Sequence, residues 1–218
     1  MASILVIAFP PVMAHVPYLE HGDFSPENPF KVRTSIEQSI AVYSWLENDG
    51  INPSDDIDVY AFSIEKATRV YVELIVPACP IYETFVPWFA IVGPGLPNPE
   101  VELPFSIPDG YGAIVCENVK PGEEREKFYE PFGGKWYYKG PVFDEIIENP
   151  GTYYVYYWDP YKRGGDYVAV LGYKEIWRIR DILRALIYTP LIRMDMELHA
   201  DCPQEMISIF QMHLFDYS

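Results

Sequence analysis

The chain has 218 residues, of which 49% are hydrophobic and 16% aromatic, and its formal net charge is -16. This composition excludes a disordered chain, and the length fits one domain with appendages. The charge argues against a general nucleic-acid binder, because recognition of phosphates needs a basic surface. Acidic surfaces are also common in soluble proteins, so the charge identifies no partner.

The amino-terminal residues 2–14, ASILVIAFPPVMA, form an apolar run that ends in a small residue. The run resembles the second half of a secretory signal peptide, although no basic residue precedes it. It is shorter than the ~20 apolar residues that span a bilayer. We therefore expect an exported protein, secreted or at the cell surface, with residues 1–14 as a signal-peptide remnant. The alternative is a buried first strand of a cytosolic domain.

Runs of alternating or β-branched residues, separated by Pro, Gly, Asn and Asp, predict a series of short strands. The predicted ranges are 30–45, 57–64, 68–76, 87–93, 112–116, 135–139, 152–158 and 166–173. Most prolines fall in the connections, where no ladder hydrogen bond is lost. The pattern predicts an all-β fold, an antiparallel β-sandwich or barrel, over residues 15–173 with an insertion at 97–149.

The segment 149–173, NPGTYYVYYWDPYKRGGDYVAVLGY, places aromatic residues on both faces of one strand, because neighbouring side chains of a strand point to opposite sides. Gly164 and Gly165 predict a turn, so the segment is expected to form a closing hairpin. Either the insertion or the terminal helix covers the second aromatic face, or a binding partner does. For a partner, the candidate binding residues are Trp136, Tyr137, Tyr138, Tyr154, Tyr156, Trp158 and Tyr161.

After residue 174 the apolar residues follow helical spacing, which predicts an amphipathic helix over 176–189 that ends at Pro190. Its apolar positions are Ile176, Ile179, Leu183, Leu186 and Ile187. The helix either packs this face on the sandwich or uses it on an anionic membrane or a partner. Residues 194–218 are acidic without Lys or Arg, so we expect 174–218 to form a helix and an acidic tail packed on the sandwich.

Four stretches occur in a familiar order: DIDVYAFSIEKATRVYVELIVP, FAIVGPGLP, NPGTYYVYYWDP and GGDYVAVLG. Over about residues 50–173 they resemble the pre-peptidase C-terminal domain and related exported β-sandwiches. The matching positions are Asp56, Asp58, Tyr60, Gly93, Pro94, Pro150, Gly151, Thr152 and Tyr153. The resemblance implies a jelly-roll-like fold, export, and a binding or accessory role without catalysis.

Two groups of residues are candidate metal ligands. His15 would become the amino-terminal residue if a signal peptide were cleaved after Ala14, and His21 could add a second imidazole for copper. The stretch ENDGINPSDDIDVY gathers carboxylates around a turn, as calcium sites do. The calcium candidates are Asp49, Asp55, Asp56 and Asp58. The alternatives are solvated histidines and carboxylates that cap the backbone.

The three cysteines leave two interpretations open. Cys79 and Cys116 lie in the strand-rich part and would form a disulfide in an exported protein, with Cys202 left over. The alternative is that the thiols are free and buried.

Catalytic motifs are missing from the sequence. It contains no nucleophile elbow, zinc-protease motif or phosphate-binding loop, and all four histidines lie in the terminal segments. We therefore expect no enzyme and no obligatory cofactor. The leading hypothesis is an exported interaction module that binds a protein partner or itself through aromatic surfaces. The alternative is a carbohydrate-binding accessory domain, and the third hypothesis is a copper- or calcium-dependent protein.

Overall fold

The structure, a computed structural model, describes residues 15–48 and 55–202. The elements in these ranges are β1 (Val16–Leu19), β2 (Phe30–Lys31), β3 (Ile40–Leu46), β4 (Asp58–Ile64), β5 (Thr68–Pro77), β6 (Trp88–Pro94), β7 (Tyr111–Cys116), β8 (Lys127–Glu130), β9 (Lys135–Ile147), β10 (Gly151–Trp158), β11 (Gly165–Leu171) and α1 (Ile179–Arg193). One sheet has the order β1-β3-β11-β5-β9-β8 and the other β2-β4-β10-β6-β7. The predicted all-β sandwich with a C-terminal helix is confirmed.

The core between the two sheets is rich in tyrosine. Tyr153 and Tyr157 of β10 are fully buried there, together with Tyr60 of the neighbouring strand β4 and Tyr167 of β11 in the other sheet. A buried hydroxyl needs a hydrogen-bond partner, and Tyr167 donates to the Asp58 carboxylate at 2.7 Å. The core is therefore held by polar contacts as well as by apolar packing.

The opposite side chains of β10 form a second buried layer on the outer face of the five-stranded sheet. Phe105 stacks on Tyr156 with ring centroids 4.1 Å apart and meets the edge of Trp158 at 5.3 Å. Leu103 and Ile107 pack against the same cluster. The chain between β6 and β7 thus covers the second aromatic face.

The predicted insertion contributes more than this cover, because it also contains β7, β8 and β9. β9 is far longer than the predicted strand 135–139, since it pairs with β5 from Thr68 to Pro77. The predicted strand 30–45 is two strands, β2 and β3, in different sheets. The short edge strands β1 and β8 carry too few residues to show a period in the sequence.

The predicted closing hairpin is wrong, because β10 and β11 lie in different sheets. β10 pairs with β4 and β6, whereas β11 pairs with β3 and β5. The buried carboxylate of Asp159 accepts the backbone N–H groups of Tyr161 and Arg163, both at 2.9 Å. Gly164 follows with φ +64, and a Cβ there would lie 2.6 Å from the Leu46 carbonyl oxygen. This turn passes the chain from one sheet to the other.

The predicted disulfide between Cys79 and Cys116 is also wrong, because Cys79 pairs with Cys202. Cys116 ends β7 in the five-stranded sheet, whereas Cys79 follows β5 in the six-stranded sheet. Cys116 is a free thiol, and burial raises its pKa to about 12. The segment after α1 thus brings Cys202 next to Cys79, just past the end of β5.

Candidate functional site

The helix α1 lies outside the six-stranded sheet, in contact with β1. The predicted helix is confirmed, but it runs from Ile179 to Arg193 and keeps Pro190 within its last turns. Its position is set by contacts at both of its ends.

The first turn of α1 is anchored by a carboxylate. Asp181 is completely buried, and it accepts hydrogen bonds from the Arg178 backbone N–H at 3.0 Å and from Gln38 Nε2 at 3.1 Å. Gln38 Nε2 also donates to the Ile176 carbonyl oxygen at 2.6 Å. A buried carboxylate is stable only with such partners, so Asp181 must face inward.

The last turn is anchored by packing and by charge. Ile192 is completely buried in a cluster that includes Tyr137. The Arg193 guanidinium donates to the carbonyl oxygens of Pro131 and Phe132, both at 3.0 Å. Just beyond the helix, the buried Lys135 ammonium binds Asp195 and Glu197 at 2.5 and 2.6 Å. Both ends together fix which side of α1 faces the sheet.

The opposite side of α1 carries large aliphatic residues that point to solvent. We call Ile179, Ile182, Leu183, Leu186 and Ile187 the outer face of α1; their exposed fractions range from 49% to 79%. Of the two alternatives for the apolar stripe, these exposed fractions disfavour packing on the sandwich. The helix is amphipathic as predicted, but the polar contacts of its ends turn the stripe outward.

Cationic residues flank the outer face. Arg178, Arg180, Arg184 and Arg193 all belong to α1 or its cap, and the single carboxylate between residues 176 and 193 is the buried Asp181. The accessible surface of α1 is therefore apolar and positively charged, in a chain with a net charge of -16.

The aromatic residues predicted to bind a partner are mostly covered. Tyr137, Tyr138, Tyr156 and Trp158 are buried, Trp136 and Tyr154 are half-buried, and only Tyr161 of the seven is exposed, at 40%. A ring can stack on a sugar or a partner only where its face is accessible. The buried ones serve as packing in three separate clusters: Tyr138 in the core between the sheets, Tyr137 beside Ile192, and Tyr156 and Trp158 in the outer layer.

The predicted metal ligands that lie in the described ranges have other partners. Within residues 15–48 and 55–202, no group of three or more His, Cys, Asp or Glu side chains could hold a metal ion. His15 Nδ1 hydrogen bonds with Ser39 Oγ at 2.5 Å, and His21 Nε2 with the Tyr188 hydroxyl at 2.9 Å. Asp55 pairs with Lys162 at 2.5 Å.

The other predicted calcium ligands do not form a common site among the described residues either. Asp56 accepts the Glu47 backbone N–H at 2.6 Å, and Asp58 is buried in the core, where it binds Tyr167. Asp49 and residues 1–14 lie outside the described residues. The copper and calcium sites stay predictions.

A cluster around His199 was not predicted from the sequence, in which every histidine lies in a terminal segment away from the predicted strands. His199 Nδ1 donates to Asp166 Oδ1 at 2.7 Å, and its ring stacks on Trp45 with centroids 4.1 Å apart. Asp166 also accepts the Tyr82 hydroxyl at 2.5 Å. The two contacts of His199 cross from the terminal segment to distant strands, so no local signal predicts them. They clamp the segment between α1 and Cys202 onto the sandwich.

A second cluster contains carboxyl groups at the edge of the core. Burial raises the pKa of Glu20 from 4.5 to about 7. Burial and the neighbouring Glu20 raise the pKa of Asp58 well above its ordinary value. Glu20 Oε2 accepts the Trp45 backbone N–H at 3.0 Å. This cluster makes the stability of the fold depend on pH.

No protein-family model and no curated protein matches the chain. The resemblance to pre-peptidase C-terminal domains therefore stays a prediction. In the described part of the chain, α1 and every other helix are too short or too polar to cross a bilayer.

Proposed function

We propose that this protein is a non-catalytic interaction module that attaches to an anionic membrane surface through the outer face of α1. The observation that carries the proposal is the orientation of α1, whose aliphatic side chains point to water. Contiguous exposed apolar surface of this kind marks interaction sites, because covering it is favourable. An amphipathic helix with an apolar stripe and basic flanks is typical of helices that lie in the membrane interface.

Charge favours an anionic surface over a second copy of the chain. Two copies packed outer face to outer face would bring the arginines of α1 together, which is repulsive. An anionic lipid surface attracts the same arginines by ~1 kcal/mol for each cation near it. The negative charge of the whole chain acts weakly at this face, because physiological salt screens charges beyond ~8 Å.

The disulfide between Cys79 and Cys202 supports a location outside the cytosol. Disulfides persist in oxidising compartments and are rare where thiols are kept reduced. We therefore propose that the membrane contacted by α1 is reached from the secreted side or at the cell surface.

Flotation of the full chain with vesicles tests the proposal. We expect the protein to float with vesicles of phosphatidylserine and phosphatidylcholine, and to stay in solution with phosphatidylcholine alone. Replacing Leu183 and Leu186 with Gln should lower the partition coefficient by roughly 30-fold, or ~2 kcal/mol. Each exposed leucine that enters the membrane gains about half of the free energy of fully burying its side chain. The matched control replaces Val142 and Ile146, which are 50% and 61% exposed on β9.

Three results would contradict the proposal. The protein could stay in solution with the anionic vesicles, or the control pair on β9 could matter as much as the leucines. A concentration-dependent dimer in light scattering, dissociated by the Leu183 and Leu186 substitutions, would assign the outer face to a second copy instead.

A further inference from the structure

A cavity of about 460 Å³ opens between α1 and the chain around β2. Four cationic side chains line it, and no aspartate or glutamate does; they are Lys31, Arg33, Arg180 and Arg184. We call this cavity the anion pocket. The chain has 16 lysines and arginines against 32 acidic residues, so a wall with four cations and no acid departs strongly from its average surface.

The cations of the anion pocket are poorly neutralised. Lys31 and Arg33 form no ion pair with any residue of the described ranges. Arg180 and Arg184 share one carboxylate, Asp181, at 3.7 and 3.5 Å, and this carboxylate also binds two N–H donors. Like charges gathered around one cavity repel each other, and a bound anion would relieve that repulsion.

Elsewhere in the described ranges, four of the other seven lysines have acidic partners of their own. Lys139 binds Glu126 at 2.6 Å, and Lys174 binds Glu37 at the same distance. An acidic chain can pair its cations easily, since carboxylates are in excess. The anion pocket differs from these sites because four cations and no carboxylate side chain line one cavity.

Aromatic rings form the apolar part of the same cavity. Tyr18, Phe24 and Phe30 line it, with ring centroids 5.5 Å apart between Tyr18 and Phe30 and 5.2 Å apart between Phe24 and Phe30. The Arg184 guanidinium carbon lies 4.0 Å from the Tyr18 ring centroid, so this ring orients the guanidinium. The cavity thus offers an apolar floor below a cationic rim.

We propose that the anion pocket binds a phosphate ester that carries an apolar group. Guanidinium groups match phosphate oxygens with paired hydrogen bonds, and a lysine adds a point charge. The cavity volume falls in the range of small-molecule sites, roughly 300 to 1,000 Å³. The same chemistry is offered by a soluble phosphorylated metabolite and by the headgroup of a phospholipid.

Calorimetric titration of the full chain with hexyl phosphate tests the anion pocket without a membrane. We expect hexyl phosphate to bind at least tenfold more tightly than inorganic phosphate or hexanol, because only the ester uses both the rim and the floor. Replacing Lys31 and Arg33 with Gln should weaken binding at least tenfold. The matched control, Lys66→Gln with Lys120→Gln, removes the same charge from exposed positions away from the cavity and should leave the affinity within twofold.

The outcomes separate the ligand sources and the two proposals. Binding of hexyl phosphate together with vesicles of phosphatidic acid, both lost in the Lys31 and Arg33 variant, assigns a lipid headgroup. If the protein binds hexyl phosphate but not the phosphatidic acid vesicles, the ligand is a soluble ester. The proposal of an anion pocket then holds even if the membrane proposal fails. The proposal is overturned if hexyl phosphate does not bind, if inorganic phosphate binds equally well, or if the control variant loses affinity to the same extent.

Discussion

The substitution Glu20→Gln is expected to stabilise the protein at neutral and alkaline pH. Glu20 lies after β1 and accepts the Trp45 backbone N–H, and burial raises its pKa from 4.5 to about 7. Because the folded state holds this proton more tightly than the unfolded state, the contribution of Glu20 is most favourable below pH 4.5 and is lost as the pH rises to about 7. The amide keeps an acceptor for Trp45 and carries no charge.

The pKa values set the size of the effect. A change from 4.5 to about 7 corresponds to about 3 kcal/mol, since each tenfold change in a proton equilibrium is worth ~1.4 kcal/mol. Partial exposure of Glu20 lowers this figure, so we expect Glu20→Gln to gain ~2 kcal/mol at about pH 8 and almost nothing at about pH 4. Urea unfolding of wild type and variant at both pH values measures the difference.

The exposed Glu124 provides the control, because Glu124→Gln removes the same charge from the surface. Its unfolding free energy should follow that of the wild type at both pH values. The reasoning is refuted if Glu20→Gln stabilises the protein equally at acidic and alkaline pH, or if the control gains as much.

Three further predictions concern the outer aromatic layer, the disulfide and a buried ion pair. Phe105→Ala should lower the free energy of unfolding by ~1 to 2 kcal/mol, because it uncovers the outer aromatic layer. Acrylamide should then quench tryptophan fluorescence more strongly, and unchanged quenching would contradict the conclusion that Phe105 covers this layer. Cys202→Ser should cost ~2 to 5 kcal/mol in unfolding free energy and abolish the effect of reductant on Tm, whereas Cys116→Ser should do neither. Lys135→Ala should cost ~3 kcal/mol in urea unfolding, because it leaves the buried Glu197 carboxylate without its cation; a loss below ~1 kcal/mol would refute this.

The strands were predictable because their signal is local. Alternation along β10 placed Tyr153 and Tyr157 on one face and Tyr156 on the other, and the structure confirms two buried layers. The partners of a strand are not a local property. Gly164 signals a turn equally well in a hairpin and in a crossover between sheets, and the choice depends on β3 and β5, which lie far away in sequence.

The helix shows the same limit at the candidate site. Its period predicted an amphipathic helix correctly, but the period cannot say which side faces the protein. That side was decided by Asp181, whose partner Gln38 is 143 residues away in sequence. The pairing of Cys79 with Cys202 could not be predicted either, because the two residues are 123 positions apart in sequence. The cations around β2 and those of α1 likewise meet only in the folded chain.

The disulfide has a mechanical consequence for α1. It closes a covalent loop that contains β6 to β11 and the helix, so α1 is joined to β11 through residues 172–178 and to the end of β5 through residues 194–202. β5 and β11 are hydrogen-bonded neighbours inside the six-stranded sheet. A force that pulls on α1 is therefore carried by two adjacent interior strands at once. If the contacts of its two ends were broken, the two short connections would still keep α1 close to these strands.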